Sequence, residues 1–164
     1  MAVSLIPLNV AASGTLPAAN APSGSVIQVV QTISSNQLST TSTSFVAFTQ
    51  VQASITPKFS TSKILIFMHI QHTNTSQAGA SCQATIYRNS TTNLATAGTN
   101  LALTGHENQL PSGYVWIPSS LCFLDSPATT SSTTYTLYGK VASGTGYFGW
   151  NADNQVVTLM EIAA

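Results

Sequence analysis

The sequence has 164 residues, enough for one domain with a hydrophobic core. Only 5% of them are charged, against about 25% in an ordinary domain, and four basic residues balance four acidic ones. Four scattered cations cannot neutralise a phosphate backbone, and no apolar run reaches the length of a spanning helix, so neither nucleic-acid binding nor membrane insertion is expected. Near-zero net charge favours association, which predicts a permanent part of an assembly.

Residues 1–23 are predicted to form an extended docking arm. Pro7, Pro17 and Pro22 break any helix or central strand, and the segment lacks the positive n-region of a signal peptide. We expect this arm to bind another subunit, with folding back over its own domain as the alternative. The residues predicted to make the contacts are apolar: Val3, Leu5, Ile6, Leu8, Val10 and Leu16.

Residues 24–164 are predicted to form one antiparallel β-sandwich, jelly-roll-like, with a C1q/TNF-like form as one version. Short β-branched or alternating segments are separated by polar turns, and no stretch has sustained helical period. The predicted strands cover residues 25–33, 43–55, 63–72, 81–88, 133–142, 147–150 and 155–163. Residues 93–103 are a short strand or an ordered loop, and residues 113–124 form a strand pair or one bent strand.

The strand at residues 63–72 is predicted to be central. Its two faces are both largely apolar, so we expect both to be covered. One face carries Ile64, Ile66, Met68 and Ile70, and the other carries Leu65, Phe67, His69 and Gln71. Cys82 and Cys122 lie in apolar runs and are predicted to be two buried thiols rather than a disulfide.

Catalysis, cofactors and metal binding are not expected. His69 and His72 are three residues apart on a strand and face opposite sides, although a cluster including His106 at a symmetry axis stays open. The acidic residues are isolated in sequence, with no spacing typical of acid–base catalysis. The chain also contains no Gly-x-Ser-x-Gly nucleophile motif.

Aromatic residues near predicted turns allow two interpretations. They either stack on sugar rings of a glycan or fill the ends of the sandwich or a subunit interface. The residues concerned are Tyr114, Trp116, Tyr147 and Trp150.

Four segments resemble a domain found in structural proteins of tailed bacteriophages, especially marine and cyanobacterial phages. They are Gly24-Ser-Val-Ile-Gln-Val-Val-Gln-Thr32, Ser60-Thr-Ser-Lys-Ile-Leu-Ile66, Leu124-Asp-Ser-Pro-Ala-Thr-Thr-Ser-Ser-Thr-Thr-Tyr-Thr136 and Thr158-Leu-Met-Glu-Ile-Ala-Ala164. The resemblance implies a β-sandwich at the virion surface, forming a homotrimer, in tail-fibre or capsid decoration proteins. It implies no catalytic residues.

Two functions are therefore expected. In the first, the protein is a capsid decoration or cement protein whose arm binds the major capsid protein. In the second, it is a tail fibre or receptor-binding adhesin whose arm binds a tail protein and whose aromatic loops contact host glycan. The absence of coiled-coil or repeated shaft segments favours decoration, because a fibre must reach outward.

Overall fold

A computed structural model describes residues 17–95, 103–107, 117–151 and 153–164, the backbone alone for residues 103–107. The described residues form eleven strands and one short 3-10 turn, Ala18–Asn20. The strands are β1 (Val26–Ser34), β2 (Ser39–Thr40), β3 (Val46–Ile55), β4 (Lys63–Thr75), β5 (Ser81–Arg88), β6 (Thr92–Asn93), β7 (Leu103–Glu107), β8 (Ile117–Asp125), β9 (Thr133–Val141), β10 (Gly146–Phe148) and β11 (Gln155–Ile162). No helix among them is long and apolar enough to cross a membrane.

The strands form two antiparallel sheets that pack face to face. The first sheet has the order β1-β11-β4-β10-β2. β8 also pairs with β4, along the edge opposite to the one that pairs with β11. The second sheet has the order β3-β9-β5-β6, and β7 also pairs with β5. Successive strands pass repeatedly from one sheet to the other, as in a jelly roll. The predicted antiparallel β-sandwich is confirmed.

The core lies between the two sheets and contains the inward residues of β4. Ile64, Ile66, Met68 and Ile70 are each at most 1% exposed, as their period-two spacing predicts. Burial of each such side chain contributes about 1.5–3 kcal/mol before the entropy of ordering is counted. β4 is central as predicted, because it lies between β11 and β8.

The observed strands follow the predicted ones closely. β5 has the predicted bounds, and β11 ends one residue earlier than predicted. Residues 117–125 form one strand, so the alternative of a strand pair is wrong for the described part of that segment. Around residues 93–103, the structure describes two short strands, β6 and β7.

Candidate functional site

The outward side of the first sheet carries an apolar surface, which we call the open face. It consists of the outward residues of β1, β11, β4 and β8, which lie side by side in three rows across the strands. The first row is Val29, Met160, Leu65 and Leu124; the second is Gln31, Thr158, Phe67 and Cys122; the third is Ile33, Val156, His69 and Ser120. Eight of the twelve residues are apolar, and none is Asp, Glu, Lys or Arg.

The open face is exposed to an unusual degree for its composition. Among the described residues, the large hydrophobic side chains that are exposed all belong to strands of the first sheet: Val26, Val29, Ile33, Phe67, Ile117 and Leu124. The outer side of the second sheet instead carries Lys140 and many hydroxyl and amide groups, such as those of Gln83, Ser54 and Thr134. Contiguous exposed apolar surface is typical of an interaction site.

The polar groups of the open face bond to one another. The Gln31 amide Nε2 donates to Thr158 Oγ1 at 3.0 Å, and His69 Nδ1 lies 3.0 Å from Ser120 Oγ. Because these groups already have partners within the face, an apolar surface placed against them would leave fewer unsatisfied donors and acceptors.

Two sequence-based expectations for this region are wrong in the single chain. β4 was expected to be covered on both sides, yet Phe67 is 42% exposed. Cys122 was expected to be buried, yet it is exposed, whereas Cys82 is buried as predicted. The physical reason is the same for both, because Phe67 and Cys122 are register partners on the open face. Burial raises the pKa of the Cys82 thiol to about 11.

A buried ionic cluster joins the two sheets. Arg88 Nη1 donates to both carboxylate oxygens of Asp125 at 2.9 Å, and the Tyr135 hydroxyl donates to Asp125 Oδ2 at 2.8 Å. Tyr135 is fully buried, and burial, followed by the neighbouring Asp125 carboxylate, raises the pKa of its hydroxyl well above the ordinary value. Sequence analysis described the acidic residues as isolated and missed this cluster; the signal was a charge beside an apolar strand in a chain with few charges.

A second buried carboxylate, Glu161, closes one end of the core. Its Oε1 accepts from the backbone N–H of Lys58 at 2.7 Å and of Phe59 at 3.4 Å. Its Oε2 accepts from Gln28 Nε2 at 2.6 Å. These bonds fix the turn between β3 and β4 to the end of β11, so Glu161 has a structural role.

The described histidines have different partners. His72 Nδ1 lies 2.6 Å from Asp153 Oδ2, which also accepts from the backbone N–H of Trp150 at 2.8 Å. The backbone N–H of Gly149 donates to the His72 carbonyl at 2.7 Å. Together these contacts tie the turn after β10 to β4. The His106 side chain lies outside the described residues.

An imidazole held by a carboxylate is one part of many acid–base sites, but here the pair is engaged in fixing a turn. The residues with described side chains contain no group of three His, Cys, Asp or Glu that could hold a metal ion. Depressions of about 110 and 180 Å³, the second lined by Ala18, Phe59 and Ala163 among others, are smaller than ordinary ligand pockets of about 300–1,000 Å³.

The structure describes some of the other predicted site residues. Tyr147 and Trp150 are both half-buried and make an edge-to-face contact with ring centroids 5.1 Å apart. Tyr114 and Trp116 lie outside the described residues, as do the predicted arm residues Val3, Leu5, Ile6, Leu8, Val10 and Leu16.

Comparison with known proteins gives no further guide. No protein-family model matches the chain, and no curated protein matches it either.

Proposed function

We propose that the protein is a structural component of a bacteriophage virion, a capsid decoration protein that forms a homotrimer and binds the shell through its N-terminal arm. Its partners in this proposal are further copies of itself and the major capsid protein. The resemblance of residues 24–164 to phage structural domains supports the phage setting. The open face is the observation that supports a role in assembly.

The open face supports a structural role because of its chemistry. It is a broad surface that is apolar and carries no Asp, Glu, Lys or Arg. Such a surface gains from burial against another protein. The carboxylates of Asp125 and Glu161 instead accept hydrogen bonds from groups of the same chain and stabilise the sandwich.

The arm is proposed to anchor the protein because residues 1–23 contain no charge and many apolar side chains. Deletion of residues 2–22 should leave a folded oligomer that no longer binds capsids in a pelleting assay. The matched control replaces the same residues by a Gly/Ser-rich segment of equal length, which should also fail to bind. Full binding by either chain would show that the arm is not the anchor.

The same proposal predicts weak salt dependence. Apolar contacts are not screened by ions, so capsid binding should change little between low and high salt. A steep loss of binding as salt rises would contradict an apolar anchor.

A tail-fibre or receptor-binding role is the second candidate. It is favoured by the edge-to-face pair of Tyr147 and Trp150, since half-exposed aromatic rings are suited to stacking on sugars. Substitution Trp150→Ala should then weaken binding to host cells without changing incorporation into particles.

The experiment that tests the function is a count of copies per virion, by quantitative mass spectrometry of purified particles against the major capsid protein. Hundreds of copies would support decoration. A few to a few tens would support a tail or fibre component instead. Absence from particles would refute both.

A further inference from the structure

We infer that the open face of the first sheet is covered, in the assembled homotrimer, by the open faces of the other copies of this chain. The inference deepens the proposed function by assigning the contact between copies to a surface. It rests on the proposed function only for the virion context, because the contact between copies is measured on the purified protein.

The absence of charge makes the open face suited to self-association. When identical surfaces pack together, charged residues of the same sign come close to one another. Like charges at close range oppose the contact. The twelve residues of the open face contain no Asp, Glu, Lys or Arg, and the nearest cation on β4, Lys63, lies before the first row. Nothing in the three rows therefore opposes contact between two copies.

The hydrogen bonds of the open face lower the cost of covering it. Gln31 bonds to Thr158, and His69 bonds to Ser120, so all four polar side chains of the face have a partner within it. The remaining eight side chains are apolar and gain from loss of water contact. A flat face of this kind can pack on another sheet as the two sheets of a sandwich do.

The size of the open face suits a contact between copies. Its three rows take up about six residues along each strand, because successive outward residues are two apart. Four strands spaced about 4.8 Å apart, at about 3.3 Å per residue, therefore give the face about 380 Å² in projection. Two such faces cover about 760 Å² in projection, and side chains make the accessible area larger than its projection, so the contact approaches the roughly 1,000 Å² expected of a specific interface.

By length alone, an extended arm would cover less of the face than other copies of the sheet would. Residues 1–16 span about 53 Å when extended, which allows about two passes along the strands. Each pass has the width of one strand, about 4.8 Å, so two passes cover about half of the four-strand width. Another copy of the sheet covers all four strands.

Phe67 is the residue on which to test the contact. It lies in the middle row on the central strand β4, and its side chain is 42% exposed, so substitution there does not open the core. Buried aromatic side chains near the centre of an interface contribute most to binding. The variant Phe67→Glu adds a carboxylate at the centre of each copy. Ala47→Glu, at an exposed strand position on the outer side of the second sheet, is the matched control.

The measurement is the mass of the full chain in solution by light scattering and sedimentation. The wild type and Ala47→Glu should sediment as a multiple of the 17.1 kDa chain at micromolar concentration. Phe67→Glu should be a folded monomer, with the dissociation constant raised at least about a hundredfold. A monomeric wild type, or a Phe67→Glu chain that keeps the wild-type mass, would overturn the inference.

Thiol labelling reports directly on the open face. Cys122 is the register partner of Phe67, and we expect it to react slowly with a maleimide in the wild type and rapidly in Phe67→Glu. Cys82 is 1% exposed and should stay unlabelled in both folded proteins. Cys122→Ser assigns the signal. Rapid labelling of Cys122 in the wild-type oligomer would refute the inference, because the face would then be uncovered.

Deletion of residues 2–22 tests whether the arm or another copy of the chain covers the open face. If another copy covers the open face, the deleted chain keeps its mass and its protected Cys122. If the deleted chain is instead monomeric and its Cys122 reacts rapidly, the arm covers the face and the inference is wrong. The outcome is independent of the virion count. A monomer that is abundant on particles refutes this inference and the homotrimer but leaves the place on the capsid, and an oligomer that is absent from particles refutes the place on the capsid but leaves this inference.

Discussion

Substitution Asp125→Asn should destabilise the domain strongly by removing one charge from the buried ionic cluster. The Asp125 carboxylate is 8% exposed and accepts from both Arg88 and Tyr135. The amide keeps the size of the side chain but replaces one acceptor oxygen by a donor and leaves the guanidinium without its counter-charge.

The expected loss is about 3 kcal/mol of unfolding free energy. Removal of one partner from a buried ion pair costs about 3–5 kcal/mol, and the lower end applies because the Arg88 side chain is 24% exposed and gains some water contact. Tyr135→Phe removes one hydrogen bond to a charged acceptor and should cost about 2 kcal/mol. Replacement of all three residues, as Arg88→Met, Asp125→Leu and Tyr135→Phe, should cost less than Asp125→Asn alone, since no buried charge remains.

Urea unfolding, followed by circular dichroism at one fixed protein concentration, measures these differences. The control is Lys58→Gln, which also removes one charge but at an exposed turn, and it should change the unfolding free energy by less than about 0.5 kcal/mol. A loss below about 1 kcal/mol for Asp125→Asn would refute the argument that the cluster is structural. So would a triple variant less stable than Asp125→Asn.

Three further predictions concern the core. Gly139→Ala should lower the unfolding free energy by about 1–3 kcal/mol in urea, because an added Cβ would lie 2.5 Å from the Phe48 ring and 2.8 Å from the Phe148 ring; wild-type stability would contradict this packing. Glu161→Gln replaces an acceptor oxygen by an amide N–H at a place where the neighbouring groups are also N–H donors, so the melting temperature should fall by about 4–12 °C. An unchanged melting temperature would contradict the structural role of Glu161. Between pH 9 and about 11 the unfolded chain loses the Cys82 proton that the folded chain keeps, so stability should fall as pH rises, and Cys82→Ala should show a shallower fall; equal slopes would contradict the raised pKa.

Most of the sandwich could be predicted because strand signals are local. The alternation along residues 81–88 and the apolar run at residues 63–72 each specify a strand by themselves, and β5 and β4 begin at the predicted residues. The inward face of β4 was also predictable, since a period of two separates its faces.

The contacts that sequence analysis missed are long-range. Arg88 and Asp125 are 37 residues apart, and Gln28 and Glu161 are 133 apart, so only the pairing of strands brings them together. Periodicity also cannot say what covers an apolar face. The second face of β4 was correctly recognised as apolar, but the cover expected from the same chain is absent from the part that the structure describes.

The arrangement of charge connects the stability of the domain with its association. Three carboxylates have described side chains, those of Asp125, Asp153 and Glu161, and each accepts hydrogen bonds from within the chain. Negative charge is thus used to fix turns and to join the sheets rather than to hydrate the surface. The open face of the first sheet is left apolar and uncharged, and neutral surfaces of this kind tend to associate. A chain built in this way is better suited to a fixed place in an assembly than to existence as a free monomer.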